Sequence, residues 1–135
     1  MVTPAASPGR RFAIRYSRAL RPFLVLIGLG PRRSWVELGA AELTVRMGWG
    51  FNATVPRSAI RSARRQPDWW LAIGIHTNLR GTWLVNGSPK GLVAMDLEPA
   101  VAGRCMGLRV RVRRLGASLE DPDGFLAALN EPAED

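Results

Sequence analysis

Side chains along most of the chain alternate between apolar and polar with a period of two, the period of a strand that rests one face on a core. Phe12, Ile14 and Tyr16 alternate with Arg11, Ala13, Arg15 and Ser17, and Leu43, Val45 and Met47 alternate with Thr44 and Arg46. Trp35-Val36-Glu37-Leu38 precedes the second set across Gly39-Ala40-Ala41, so the two read as an antiparallel hairpin with one wet face. Gly48-Trp49-Gly50 then turns the chain into Phe51 to Val55, which Pro56 stops. Ile60 to Arg64 reads as a weak strand or helical turn, and Trp69 to Thr77 as a long apolar strand. Thr82 to Val85 runs into Asn86-Gly87, a dipeptide favoured where two turn residues need positive φ. Leu92 to Leu97 resumes extended structure, with Pro99 expected to end it. In the last strand Leu108, Val110 and Val112 alternate with Arg109, Arg111 and Arg113.

Two segments break this rhythm. Phe23 to Leu29 is the most apolar run, and at about seven residues it is far short of the ~20 that span a bilayer as a helix. Pro22 and Pro31 bracket it, Arg32-Arg33 follow it, and no small-residue cleavage site comes after, which argues against a secretory signal. Its expected place is buried, as a plug between strands. Near the C-terminus, Asp121 can cap a helix, Pro122 suits its first position, Asp123 favours the positive end of the dipole, and Phe125, Leu126 and Leu129 make an apolar stripe. About seven or eight short strands followed by one C-terminal helix predict a mainly β fold, a barrel or sandwich with the helix over one open end. The 135 residues suit one domain. It is placed at 10–131, after a disordered lead-in over 1–9 and before an acidic tail at 132–135.

Charge changes the picture more than composition does. The net charge is +8, from 19 bases and 11 acids. Residues 1 to 67 carry twelve arginines against Glu37 and Glu42, whereas the remainder is slightly acidic. All bases but Lys90 are arginine, and the abundance of alanine and glycine beside them fits GC-rich codon choice rather than selection for bidentate recognition. Two arginine groups are candidates for binding an anionic partner. Arg109, Arg111 and Arg113 rise from one strand face about 6 to 7 Å apart; Arg114 points the other way unless the chain bulges. Arg57, Arg61, Arg64 and Arg65 precede Trp69 and Trp70, where guanidinium groups beside indoles could stack on bases or hold headgroups. The bland alternative for both is a solvated face. Four arginines at an anionic bilayer contribute about 4 kcal/mol, a dissociation constant near 1 mM, so charge alone would not hold the protein on a membrane.

Most catalytic and metal chemistries find no constellation. Cys105 is the one cysteine and His76 the one histidine, which leaves no intramolecular disulfide and no Cys/His zinc cluster, and points to a reducing cytoplasm with peripheral membrane contact left open. His76 in an apolar strand reads as a core or rim histidine, and Cys105 as a small buried apolar group. Asp121 and Asp123 imitate the start of a calcium loop, but the further ligands are missing and helix capping accounts for the pair. Gly48-Trp49-Gly50 lacks the lysine and hydroxyl of a phosphate loop. Asn52-Ala53-Thr54 and Asn86-Gly87-Ser88 match a glycosylation pattern that carries no meaning in a reducing cytoplasm. No catalytic residue, cofactor, metal or transmembrane segment is expected.

The run from Trp35-Val36-Glu37-Leu38 to Leu43-Thr44-Val45-Arg46-Met47-Gly48, followed by Val55-Pro56-Arg57-Ser58-Ala59-Ile60, resembles the opening of bacterial pleckstrin-homology-like (PH-like) domains. There a V-P-R-x-x-I step follows a glycine-turned hairpin. Ser118-Leu119-Glu120-Asp121-Pro122-Asp123-Gly124-Phe125-Leu126 is similar to their strand-to-helix close. The likeness covers most of residues 11 to 130 and extends to small actinobacterial proteins of this type. It implies a barrel-like pair of nearly orthogonal antiparallel sheets capped by a C-terminal helix, and no particular activity, since the fold hosts lipid-binding, peptide-binding and architectural roles. The expected function is a non-catalytic binding or scaffold module for a protein or anionic partner. A protein partner is favoured, with anionic lipid or nucleic acid reached through the arginines. The alternatives are a basic nucleic-acid-associated protein and, behind it, a small-ligand barrel.

Overall fold

A computed structural model describes residues 10–19, 21–66, 74–77, 81–88 and 90–130. Nine strands among them form one curled, mixed sheet: β1 (Arg10–Ala13), β2 (Ser34–Leu38), β3 (Glu42–Met47), β4 (Phe51–Pro56), β5 (Ile60–Arg65), β6 (Gly74–Thr77), β7 (Thr82–Asn86), β8 (Leu92–Cys105) and β9 (Leu108–Ser118). Two α-helices accompany them, α1 (Arg21–Leu26) and the C-terminal α2 (Pro122–Asn130). The spatial order is β1-β2-β3-β4-β8-β9-β7-β6, with β5 also paired to β8. The mainly β fold closed by a C-terminal helix is thus what the sequence pattern predicts. All pairs are antiparallel except β7 with β9, which run parallel.

The period-two residues face as their spacing requires. Leu43, Val45 and Met47 are fully buried while Arg46 is exposed, and Phe51, Ala53 and Val55 do the same on β4. On α2 the Asp121 carboxylate accepts the amide of Gly124 at 3.0 Å, and Pro122 occupies the first helical position. The cap aims Phe125 into the core, where its ring meets Phe12 edge-on at 5.2 Å.

Strand β8 bends instead of ending at Pro99. Residues Val93 to Leu97 pair with β5 on one side, residues Gly103 to Cys105 pair with β4, and β9 runs beside both stretches. The register slips between Asp96 and Val101, so Pro99 falls where no ladder hydrogen bond needs its missing N–H. The same slip brings Arg114 out to solvent beside Asp96.

Asn86-Gly87 makes no positive-φ hairpin turn. Neither residue is among the described positions with positive φ; Asn86 ends β7, and its amide donates to the Ser88 carbonyl at 3.1 Å. Gly87 is needed for close approach, because a Cβ there would lie 2.6 Å from the Tyr16 ring. Tyr16 bridges to Gly87 and Ile14 to Leu119, so the segment after β1 ties the two sides of the curled sheet into a half-barrel. Ser118 completes this seam: its buried hydroxyl accepts the Gly87 amide and donates to the Arg15 carbonyl, each at 2.9 Å.

The apolar run is only partly a plug. Leu24 and Leu29 are buried, but Phe23, Val25, Leu26 and Ile27 are exposed. The reason is local: α1 is one and a half turns long and ends where Gly28 takes φ +85°, so a single side chain of the helix, Leu24, reaches the core and its neighbours point outward. Trp69 and Trp70, with most of the long strand expected there, lie outside the described residues; its end is β6.

Candidate anion-binding surface

The arginines divide into neutralised and unneutralised groups. On β5, Arg64 meets Asp96 at 2.9 Å, Arg65 meets Asp123 at 3.0 Å, and Arg61 stands 3.6 Å from Glu98. Arg114 from β9 reaches the other oxygen of Asp96 at 2.6 Å, and Ser62 donates at 2.9 Å to the oxygen that Arg64 meets. The hydrogen bond from Arg114, assisted by those from Ser62 and Arg64, holds the Asp96 carboxyl below its ordinary range. Arg57 is structural: its guanidinium donates to the carbonyls of Gly39 and Leu129 at 3.1 and 3.0 Å. Each arginine of the expected cluster at 57, 61, 64 and 65 therefore has a partner within the chain.

The strand pairing assembles a different group. Across the outer face, Trp35 stands opposite Arg46, Arg46 opposite Asn52, Asn52 opposite Arg104, and Arg104 opposite Arg109. One step further along β9, Arg111 stands opposite Ala102. Arg109 and Arg111 border a shallow hollow of about 400 Å³ floored by Val101 and Ala102. Arg46, Arg104, Arg109 and Arg111 make no ion pair among the described residues, and the segments 43–67 and 99–119 that supply them contain no acid at all. Arg113 is also exposed, but its amide donates to Gly81 at 2.7 Å, which sets it on the β7 side of the row.

This row ends at the rim of the half-barrel. Arg46 Nε donates to the Gly48 carbonyl and Arg104 Nη1 to the Gly107 carbonyl, both at 3.3 Å, so each guanidinium is held beside a turn. Trp49 at the tip of the β3–β4 turn is 57% exposed, and Leu108 beside the β8–β9 turn is 71% exposed rather than facing inward as its alternation predicts. The indole N–H of Trp49 donates to the Ile27 carbonyl at 2.7 Å, which joins α1 to this rim. Here Arg21, Arg32 and Arg33 edge a second hollow of about 610 Å³, lined also by Val25 and Leu26. A 3-10 turn at Pro31–Arg33 presents the last two of these arginines.

Sequence reasoning missed Arg46 and Arg104, whose neighbours come from other strands. It also missed the exposed tip of Trp49, for which a tryptophan between two glycines was the available signal. The half-buried Trp35 already has arginine partners, since Arg11 and Arg46 lie over its ring at 4.3 and 5.4 Å.

Burial raises the Cys105 thiol pKa, which keeps it protonated and weakly nucleophilic at neutral pH. The His76 side chain lies outside the described residues. No group of three or more His, Cys, Asp or Glu able to hold a metal occurs among the described residues, and no described helix is long and apolar enough to cross a membrane. Compared with known proteins, the chain matches no family model, no curated protein and no solved structure.

Proposed function

We propose that the chain is a non-catalytic, PH-like binding module that recognises an anionic partner through the outer row of Arg46, Arg104, Arg109 and Arg111. One observation carries this reading: Asp96, Glu98 and Asp123 pair with the β5 arginines and Arg114 and not with the row, and residues 43–67 and 99–119 around the row hold no acid. Four like charges set side by side repel one another, and an external anion removes that repulsion. The arginines already held over Trp35 and the internal pairing of Arg64 and Arg65 favour an anion reader over a stacking, base-reading surface.

The test is retention of the full chain on a soluble polyanion such as inorganic polyphosphate across a salt series. Binding should weaken linearly in log–log form with salt, as counterion release requires. Charge reversal at Arg104, Arg109 and Arg111 should abolish retention, whereas reversal at Arg61 should leave it nearly intact. Equal losses from both changes, or no retention at low salt, would overturn the reading.

A further inference from the structure

The large apolar side chains exposed among the described residues all belong to three segments: Phe23, Val25, Leu26 and Ile27 in and just after α1, Trp49 in the β3–β4 turn, and Met106 and Leu108 at the β8–β9 turn. These segments touch. Trp49 Nε1 donates to the Ile27 carbonyl at 2.7 Å, the Met106 amide donates to the Gly50 carbonyl at 2.8 Å, and the Gly48 amide donates to the Arg33 carbonyl at 2.9 Å. Exposed apolar residues scattered singly would need no explanation; gathered at one end of a half-barrel, they mark a contact surface.

Arginines surround that surface. Arg21, Arg32 and Arg33 border the hollow beside α1, and Arg46, Arg104 and Arg109 stand just behind the two turns. The described segments that carry these residues, 21–36, 43–56 and 99–119, contain no acid. Building on the anionic-partner reading above, we infer that this end docks onto an anionic lipid bilayer, with Phe23, Leu26, Trp49 and Leu108 entering the interfacial layer and the surrounding arginines holding headgroup phosphates.

Charge complementarity selects this occupant over a second copy of the chain. A two-fold dimer through the same end would bring two arginine-rimmed patches face to face, and the described segments 21–36, 43–56 and 99–119 of neither copy carry an acid to offset them. A bilayer offers what the end lacks, a layer of negative charge above an apolar one. The backbone is prepared for the drier medium as well. The Trp49 indole N–H and the amides of Gly48, Gly50 and Met106 are all internally bonded, so the tip presents mainly carbon. Arginines alone give only weak attraction, and the apolar tip supplies the remainder.

The decisive experiment is co-sedimentation of the full chain with vesicles of phosphatidylcholine alone and of phosphatidylcholine mixed with phosphatidylglycerol, alongside the polyphosphate assay. Leu26→Ser and Leu108→Ser change no charge and replace side chains that are 83% and 71% exposed. The expected result is sedimentation with the mixed vesicles only, lowered about tenfold or more by each serine variant, with polyphosphate retention unchanged. Retention on polyphosphate without vesicle binding sinks the bilayer inference and leaves the anionic-partner reading standing; failure of both sinks both. Vesicle binding indifferent to the two serines shows attraction by charge alone and overturns docking by this end. Dimerisation that either serine abolishes overturns it in favour of a second copy.

Discussion

Arg57 Nη2 donates a 3.0 Å hydrogen bond to the carbonyl of Leu129, near the end of α2 and 72 residues further along the chain. The positive charge meets the negative end of the helix dipole, and the same guanidinium holds the Gly39 turn at 3.1 Å. Arg57→Ala should lower unfolding free energy by about 2 kcal/mol, because two carbonyls lose a charged donor. Urea titration checks this as a lower midpoint with an unchanged slope, and polyphosphate retention should not change.

Phe125 anchors the other side of α2, fully buried and edge-on to Phe12. Phe125→Ala should cost about 3–5 kcal/mol through lost burial and a residual cavity. That is a large part of the stability of an ordinary domain, so thermal unfolding should show a strongly lowered midpoint or a chain that fails to fold.

Asp96 joins β5, β8 and β9 through Arg64, Ser62 and Arg114. Its folded-state pKa lies below the unfolded one, so its contribution is present above the ordinary carboxylate range and is lost as pH falls through the lowered value. Asp96→Asn should cost about 1 kcal/mol or less near neutrality, because the pairs are largely exposed. It should also flatten the acid side of a stability-against-pH curve; an unaltered acid limb would show that these pairs do not act.

Tyr16 is the one tyrosine of the chain, and its hydroxyl donates to the Leu29 carbonyl at 2.6 Å. Burial raises its pKa, so the phenol's contribution is complete below the unfolded value and is lost as pH rises through the higher folded one. Tyrosinate absorbance should therefore develop at a higher pH in the native chain than in urea. Tyr16→Phe should cost about 1 kcal/mol at neutral pH.

The elements with a strong local signal were legible in the sequence. Leu43, Val45 and Met47 announce a strand by period, and Asp121-Pro122 announces the start of α2 by capping chemistry. What escaped depends on partners distant in the chain. Nothing near Arg57 reveals that its guanidinium serves Leu129, and nothing near Arg46 places it in a row with Arg104 and Arg109. Pro99 signals a strand end only if the ladder needs its N–H, and the slipped register removes that need. Phe23 to Leu29 misled for another reason: apolar character predicts burial only where the surrounding backbone turns each side chain inward, and a six-residue helix turns few.

Strand β8 serves β5 along its first half and β4 along its second, with β9 alongside both stretches on either side of the slip. Neither half of the sheet can then detach while the other persists, because both share one continuous length of chain. The amides of β8 should consequently exchange with solvent only when the entire molecule opens, and the two ends of the half-barrel should melt together.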